Sequence, residues 1–224
     1  TYIKDWTLTA DADGKLSIDL EKDGPDSDVS AELVINFGRE EVMRWRVPFE
    51  EMQAHTSITV SQCKLWSPDT PNLYDIRFSL LSGDGVVVDS VESYFGFRSV
   101  DIQDGEINLN GDEFFLISAL DQGYYPDGLY TPPTDDALRA DVEWAKKYGL
   151  NHVRKHQIIA EPRFCYWCDK LGLTIWEEMP DWGADILNAS EDYLREWTAC
   201  IKRDINHPCV VGWVCANEEK RDNE

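Results

Sequence analysis

No stretch of this sequence approaches the roughly 18 consecutive apolar residues that a membrane-crossing helix needs. Basic residues are scarce: 21 Lys and Arg stand against 43 Asp and Glu, for a formal net charge of −22. A field of that sign repels nucleic-acid phosphates and anionic lipid surfaces, so neither is expected as a partner. It suits a solvated surface and a neutral small-molecule substrate. Glycine-rich phosphate loops are missing: no G-x-G-x-x-G or P-loop follows any apolar run, which leaves a nucleotide-binding sheet unsupported. Histidine occurs only four times. No grouping of histidines with carboxylates has the spacing of a metal site, so neither metal nor cofactor is expected. The chain opens on Thr1 without a basic and apolar leader, and is expected to be soluble, an interior piece of something longer, its compartment not encoded. Cysteine is modest, at six. Cys165 and Cys168 form a C-x-x-C, but inside a helical pattern with Trp167 between them, so buried thiols are expected rather than a zinc knuckle.

What is present divides into two halves of different period. Over residues 1–97, Leu16, Ile18 and Leu20 alternate with polar residues, as do Leu33, Ile35 and Phe37, and again Tyr74, Ile76, Phe78 and Leu80. Alternation of period two gives each strand one buried face. Glycine and proline punctuate seven expected strands: 5–9, 16–22, 31–37, 42–48, 57–61, 73–82 and 86–95. That number and spacing predict an immunoglobulin-like β-sandwich.

From residue 98 the pattern changes. A hairpin is expected over Asn110-Gly111, its second arm running through Phe114–Ile117. Strands and helices then alternate. Strands are expected at 114–119, 151–156, 173–178 and 209–216. One helix is capped by Thr134, with stripe Leu138, Val142 and Ala145. A second is opened by Pro162 and closed by Gly172, with stripe Phe164, Cys168 and Leu171. A third starts at Ser190, with stripe Leu194, Trp197, Ile201 and Ile205. Such units build parallel sheets, and four of them are the first half of a (β/α)8 TIM barrel, so the domains read as 1–97 and 98–224. Trp144, Trp167 and Trp197 lie on the helices and read as packing residues. His152 and His207 read as structural and His55 as a loop residue.

Barrel chemistry sits at the C-terminal ends of strands. The strands exit into Asp121-Gln122, Arg154-Lys155-His156-Gln157, Trp176-Glu177-Glu178 with Asp181-Trp182 following, and Asn217-Glu218-Glu219. Carboxylates can act on glycosidic bonds, amides and Arg bind hydroxyls, and rings such as Tyr124, Tyr125, Trp176 and Trp182 can stack on sugars. His156 is the histidine placed at a strand exit, where a site role and a satisfied core role weigh evenly.

The run N-H-P-C-V-V-G-W-V-C-A-N-E, from Asn206 to Glu218, resembles the N-H-P…W…N-E signature of glycoside hydrolase family 2, the β-galactosidases, β-glucuronidases, β-mannosidases and relatives. Leu65–Tyr74, Phe95–Arg98, Leu109–Leu116, Gly149–Gln157 and Cys168–Glu178 resemble further segments of that family, in its order. The resemblance implies a retaining β-glycosidase in which Glu218 is the acid/base, Asn217 binds the sugar 2-hydroxyl and Arg154 organises the carboxylates. His156, Asp121, Glu178 and Trp182 join them as candidate substrate-binding residues. His156 stands one position away from the family's usual strand-two histidine. The nucleophile is expected on a later barrel strand, since Glu219 and Glu224 share the exit or tail of Glu218, and the family keeps none at Glu177 or Glu178. The chain is therefore expected to be a fragment, inactive or nearly so alone, and marginal, sticky or reliant on a partner copy to close its open barrel edge. A non-catalytic carbohydrate-binding or remnant protein is the competing reading, and an unrelated metalloenzyme built on Glu177 and Glu178 lacks a ligand cluster.

Overall fold

The computed structural model describes residues 1–180 and 190–218. It falls into two compact units. The first comprises Thr1–Ser67, Asn72–Asp101 and Leu109–Asp112, and the second Pro68–Pro71, Ile102–Asn108 and Glu113 onward.

The first unit is an immunoglobulin-like sandwich. Its strands are β1 (Tyr2–Ala10), β2 (Lys15–Asp23), β3 (Val29–Phe37), β4 (Glu40–Pro48), β5 (Gln53–Thr59), β6 (Tyr74–Ser82) and β7 (Val87–Phe95). They form sheets of order β1-β2-β5 and β4-β3-β6-β7, antiparallel throughout. The alternating residues do as their period requires: Leu16, Ile18, Leu33, Ile35, Phe78 and Leu80 are fully buried in one core. Phe37, Tyr74, Phe95 and Phe97 close one part of it with ring centroids 4.8–5.5 Å apart, offset or edge-on. His55 belongs to β5 instead of a loop, and its exposed ring meets Asp19 at 2.6 Å. Period-two reading passes over such a residue because an outward-facing strand histidine and a loop histidine look alike in sequence.

Three short strands, β8 (Val100–Gln103), β9 (Glu106–Leu109) and β10 (Asp112–Glu113), make a small sheet of order β10-β9-β8. Asn110 and Gly111 both take positive φ, 59° and 86°, as a two-residue turn between β9 and β10 requires.

The second unit carries the first half of a TIM barrel: β11 (Ser118–Asp121), α1 (Asp135–Lys147), β12 (His152–Lys155), α2 (Pro162–Leu171), β13 (Thr174–Glu178), α3 (Ser190–Asp204) and β14 (Val210–Val214). The four strands lie parallel in chain order. Thr134 caps α1 by accepting from Ala137 N, and Gly172 ends α2 at φ 77°. A Cβ on Gly172 would also lie 2.2 Å from the Pro68 carbonyl oxygen.

Three expectations need correction. The first barrel strand starts at Ser118 rather than 114. The amide of Asn151 takes the place of a strand partner, with Nδ2 donating to Phe115 O at 2.8 Å and Oδ1 accepting from Ile117 N at 2.8 Å. Leu194 is 60 % exposed, and Tyr193 is buried in its stead beside Trp197, against Met179 and Trp213. The buried face of α3 is thus turned by one residue from the expected stripe. Trp144 is half exposed, with Lys147 Nζ over its ring at 4.2 Å and the Tyr148 ring stacked beside it.

Candidate active site

Period two sorts the strand residues of the barrel sheet onto two faces. Ser118, His152, Arg154, Trp176 and Glu178 share the face away from the helices, while Lys155 and Glu177 face α2. Gly212 is the register neighbour of Trp176, and a Cβ there would lie 2.5 Å from the indole Cδ1, so the missing side chain gives the ring its room. His152 meets Ser118 Oγ through Nδ1 at 2.7 Å, and burial pushes its pKa down to about 4. Its Nε2 has no hydrogen-bond partner.

At the C-terminal strand ends, Arg154 joins two elements. Its Nε donates to Glu178 Oε2 at 2.6 Å, and its Nη2 donates to Asn217 Oδ1 at 2.9 Å. Glu178 is fully buried, and its other oxygen accepts from Gln157 N at 2.9 Å. Gln157 holds φ at 55° to aim that N–H. His156 Nε2 lies 4.0 Å from the same oxygen. β14 ends at Val214 and the chain bends, so that buried Asn217 reaches Arg154 while Glu218, at φ 52°, is exposed.

Four of the candidate residues are therefore drawn together: Arg154, Glu178, Asn217 and His156, with Glu218 next to Asn217 in the chain. Asp121 is not. Its carboxylate accepts from Lys155 Nζ at 2.7 Å and from Gly123 N at 2.8 Å, on the helix-facing side. Trp182 lies outside the described residues. Tyr124 is exposed with its hydroxyl 2.5 Å from that of Tyr130, and the hydroxyl of Tyr125 donates to Asp141 at 2.7 Å.

Glu177, the neighbour of Glu178, is spent differently. It is fully buried, accepts from Ala160 N at 2.8 Å, and burial pushes its pKa up to about 7. Around it lie the buried thiols Cys165, Cys168 and Cys209, and the pair His207–Asp169 at 2.6 Å. Among the described residues no cluster of three His, Cys, Asp or Glu side chains suits a metal, and no helix is long and apolar enough to cross a membrane. A cavity of about 360 Å³ is lined by Tyr125, Tyr130, Leu138, Lys155, Phe164 and Arg203 among others, not by Arg154, Glu178 or Asn217.

Sequence reading missed the contacts of Gln157 N, Lys155 and Gln122. The available signal was register: Ser118 pairs with His152 and Asp121 with Lys155, a constant offset of 34 residues.

Comparison with known proteins bears on both units. Residues 1–98 match the family described as Glycosyl hydrolases family 2, and residues 100–224 match Glycosyl hydrolases family 2, TIM barrel domain. A β-galactosidase of Photobacterium profundum is 28% identical over 178 residues, covering 72% of this chain and 16% of that protein. A putative β-glucuronidase of Formosa agariphila is 32% identical over 183 residues, covering 76% of this chain and 17% of that protein. The structure of Bifidobacterium dentium β-glucuronidase, complexed with coumarin-3-O-glucuronide, superposes with a TM-score of 0.88 at 24% identity, covering all of this chain and 39% of that one. The chain thus spans about a sixth of the length of these curated relatives. With matches to the family over both its units, the chain belongs to glycosyl hydrolase family 2.

Proposed function

We propose that the cluster at the barrel rim is the acid/base half of a retaining β-glycosidase site, acting on O-glycosidic bonds of carbohydrates. The observation that carries this reading is the bridge Glu178–Arg154–Asn217, which ties the second, third and fourth barrel strands together beside Glu218. In this reading Glu218 protonates the departing oxygen and later takes a proton from water. Arg154 occupies the Asn217 carbonyl oxygen, which directs the amide NH2 of Asn217 toward the sugar 2-hydroxyl. Glu178 keeps Arg154 in place and is itself neutralised by it, so it is a poor nucleophile. Glu177 lies on the opposite face. The second carboxylate of retaining chemistry, about 5–5.5 Å from the first, is then sought on a barrel strand beyond the four described here. Residues 1–97 act as the sandwich and 98–224 as half of the catalytic barrel, and the chain alone turns over slowly or not at all.

The test is Glu218→Gln in a polypeptide that completes the barrel. Hydrolysis of glycosides with poor leaving groups should fall by about a hundredfold or more, while activated nitrophenyl glycosides, which need little protonation, should lose far less. Equal losses on both would assign Glu218 a binding role and favour the carbohydrate-binding reading.

A further inference from the structure

The parallel register of β11 and β12 pairs Leu120 with Arg154 and Asp121 with Lys155. It continues one step, since His156 N donates to Asp121 O at 2.8 Å. Gln122 and His156 are therefore lateral neighbours, two residues on from Leu120 and Arg154 and so on the face that Arg154 shares with Glu178. Their side chains meet, with Gln122 Nε2 2.8 Å from His156 Nδ1. The other ring nitrogen, Nε2, lies 4.0 Å from Glu178 Oε1.

A neutral imidazole carries its proton on one nitrogen, and its neighbours decide which. With the proton on Nε2, the Gln122 amide NH2 donates to a bare Nδ1, and Nε2–H faces a carboxylate oxygen. Both contacts are favourable. With the proton on Nδ1, the amide must turn to accept it, and a bare Nε2 lone pair faces the negative oxygen, which is repulsive. The neighbouring contacts select the first arrangement. We infer that the Glu178 oxygen selects the Nε2–H tautomer of His156 while Gln122, whose amide can meet either form, is a positioning residue that holds the ring, so that the rim presents a neutral N–H donor to a sugar hydroxyl beside the Arg154–Glu178–Asn217 cluster. The sugar half of this inference rests on the glycosidase reading, and the tautomer half does not. The chemistry selected is a hydroxyl that accepts a hydrogen bond. A cation is not needed there, because Glu178 is already matched by Arg154.

Long-range proton–nitrogen correlation spectra of this chain read the tautomer of each histidine. At mildly alkaline pH, His156 should show a protonated Nε2 and a bare Nδ1. Gln122→Leu leaves Glu178 to select and should keep the Nε2–H form, while Gln122→Glu, whose carboxylate can only accept, should put a proton on Nδ1. Gln122 is exposed, so both variants keep the fold. A His156 protonated on Nδ1 alone in the parent chain, or a Gln122→Glu spectrum identical to the parent's, overturns the tautomer assignment. In a polypeptide completing the barrel, with p-nitrophenyl β-galactoside and β-glucuronide as probes, Gln122→Leu should raise KM roughly threefold to tenfold while kcat stays within about twofold. An unchanged KM in Gln122→Leu removes the positioning role of Gln122 toward the sugar. Absence of turnover in the parent removes it together with the glycosidase reading, while the spectra still decide the tautomer.

Discussion

Glu177 and Glu178 are adjacent carboxylates with opposite electrostatic fates. Glu178 is met by a guanidinium, whereas Glu177 is buried among thiols with one backbone N–H and the carboxylate of Asp204 acting on it. Raising Glu177 from 4.5 to about 7 makes its ionised form cost the fold roughly 3 kcal/mol. That stabilisation is present below pH 4.5 and lost as pH climbs through 7. His152 runs the other way. Lowered from 6.5 to about 4, it favours the fold above pH 6.5 and withdraws that stability as pH falls toward 4. Between about pH 4.5 and 6.5 the two slopes oppose and largely cancel. Glu177→Gln should therefore leave stability near pH 5 little changed and raise it above pH 7.5 by up to roughly 3 kcal/mol. Urea midpoints of parent and variant at pH 5 and pH 8 measure this. A gain of equal size at both pH values would sink the titration account.

At the scale of elements, α1 depends on its first turn. Thr134 accepts from Ala137 N at 3.1 Å, and Asp135 accepts from Arg163 Nε at 2.9 Å, Arg163 Nη2 at 2.8 Å and Trp167 Nε1 at 3.0 Å, which ties α1 to α2. Thr134→Ala should cost about 1 kcal/mol, and Thr134→Asn or Thr134→Asp close to nothing, in chemical denaturation. If Thr134→Asn costs as much as Thr134→Ala, the capping bond is not the source. These helix ends were legible because Thr134, Pro162 and Gly172 each impose a local backbone state that needs no tertiary partner. The start of β11 was not, because its limit is set by the side chain of Asn151, some thirty residues away in sequence. Trp144 and Leu194 were misread for a related reason. Helical period gives an apolar stripe but not the direction of the surface that will cover it. The rim followed the same rule. Arg154, Glu178 and Asn217 could be read as strand exits, but the pairing of Gln122 with His156, and of Asp121 with Lys155 away from the cluster, needed the register between strands.

For the whole molecule, the excess of acid over base sets a uniform self-repulsion. With a formal charge of −22, the folded chain is more crowded with charge than the unfolded one. Raising monovalent salt from about 10 to 300 mM shortens the screening length from about 30 Å to under 10 Å, and should raise Tm by several degrees. A flat or falling Tm in KCl and tetramethylammonium chloride alike would show that local pairs such as Arg154–Glu178 outweigh the global term. Against that background, the backbone at Glu218 has a cost of its own. A residue with a Cβ held at φ 52° sacrifices about 1 kcal/mol that asparagine or glycine would largely recover. Nothing in packing asks for glutamate there, since the side chain is exposed. Drift alone would therefore carry this position toward Asn or Gly, and each such step would make a sturdier protein. On the proposed acid/base reading, glutamate at 218 is therefore held against the backbone's own preference, and a lineage released from selection on that chemistry would lose it early.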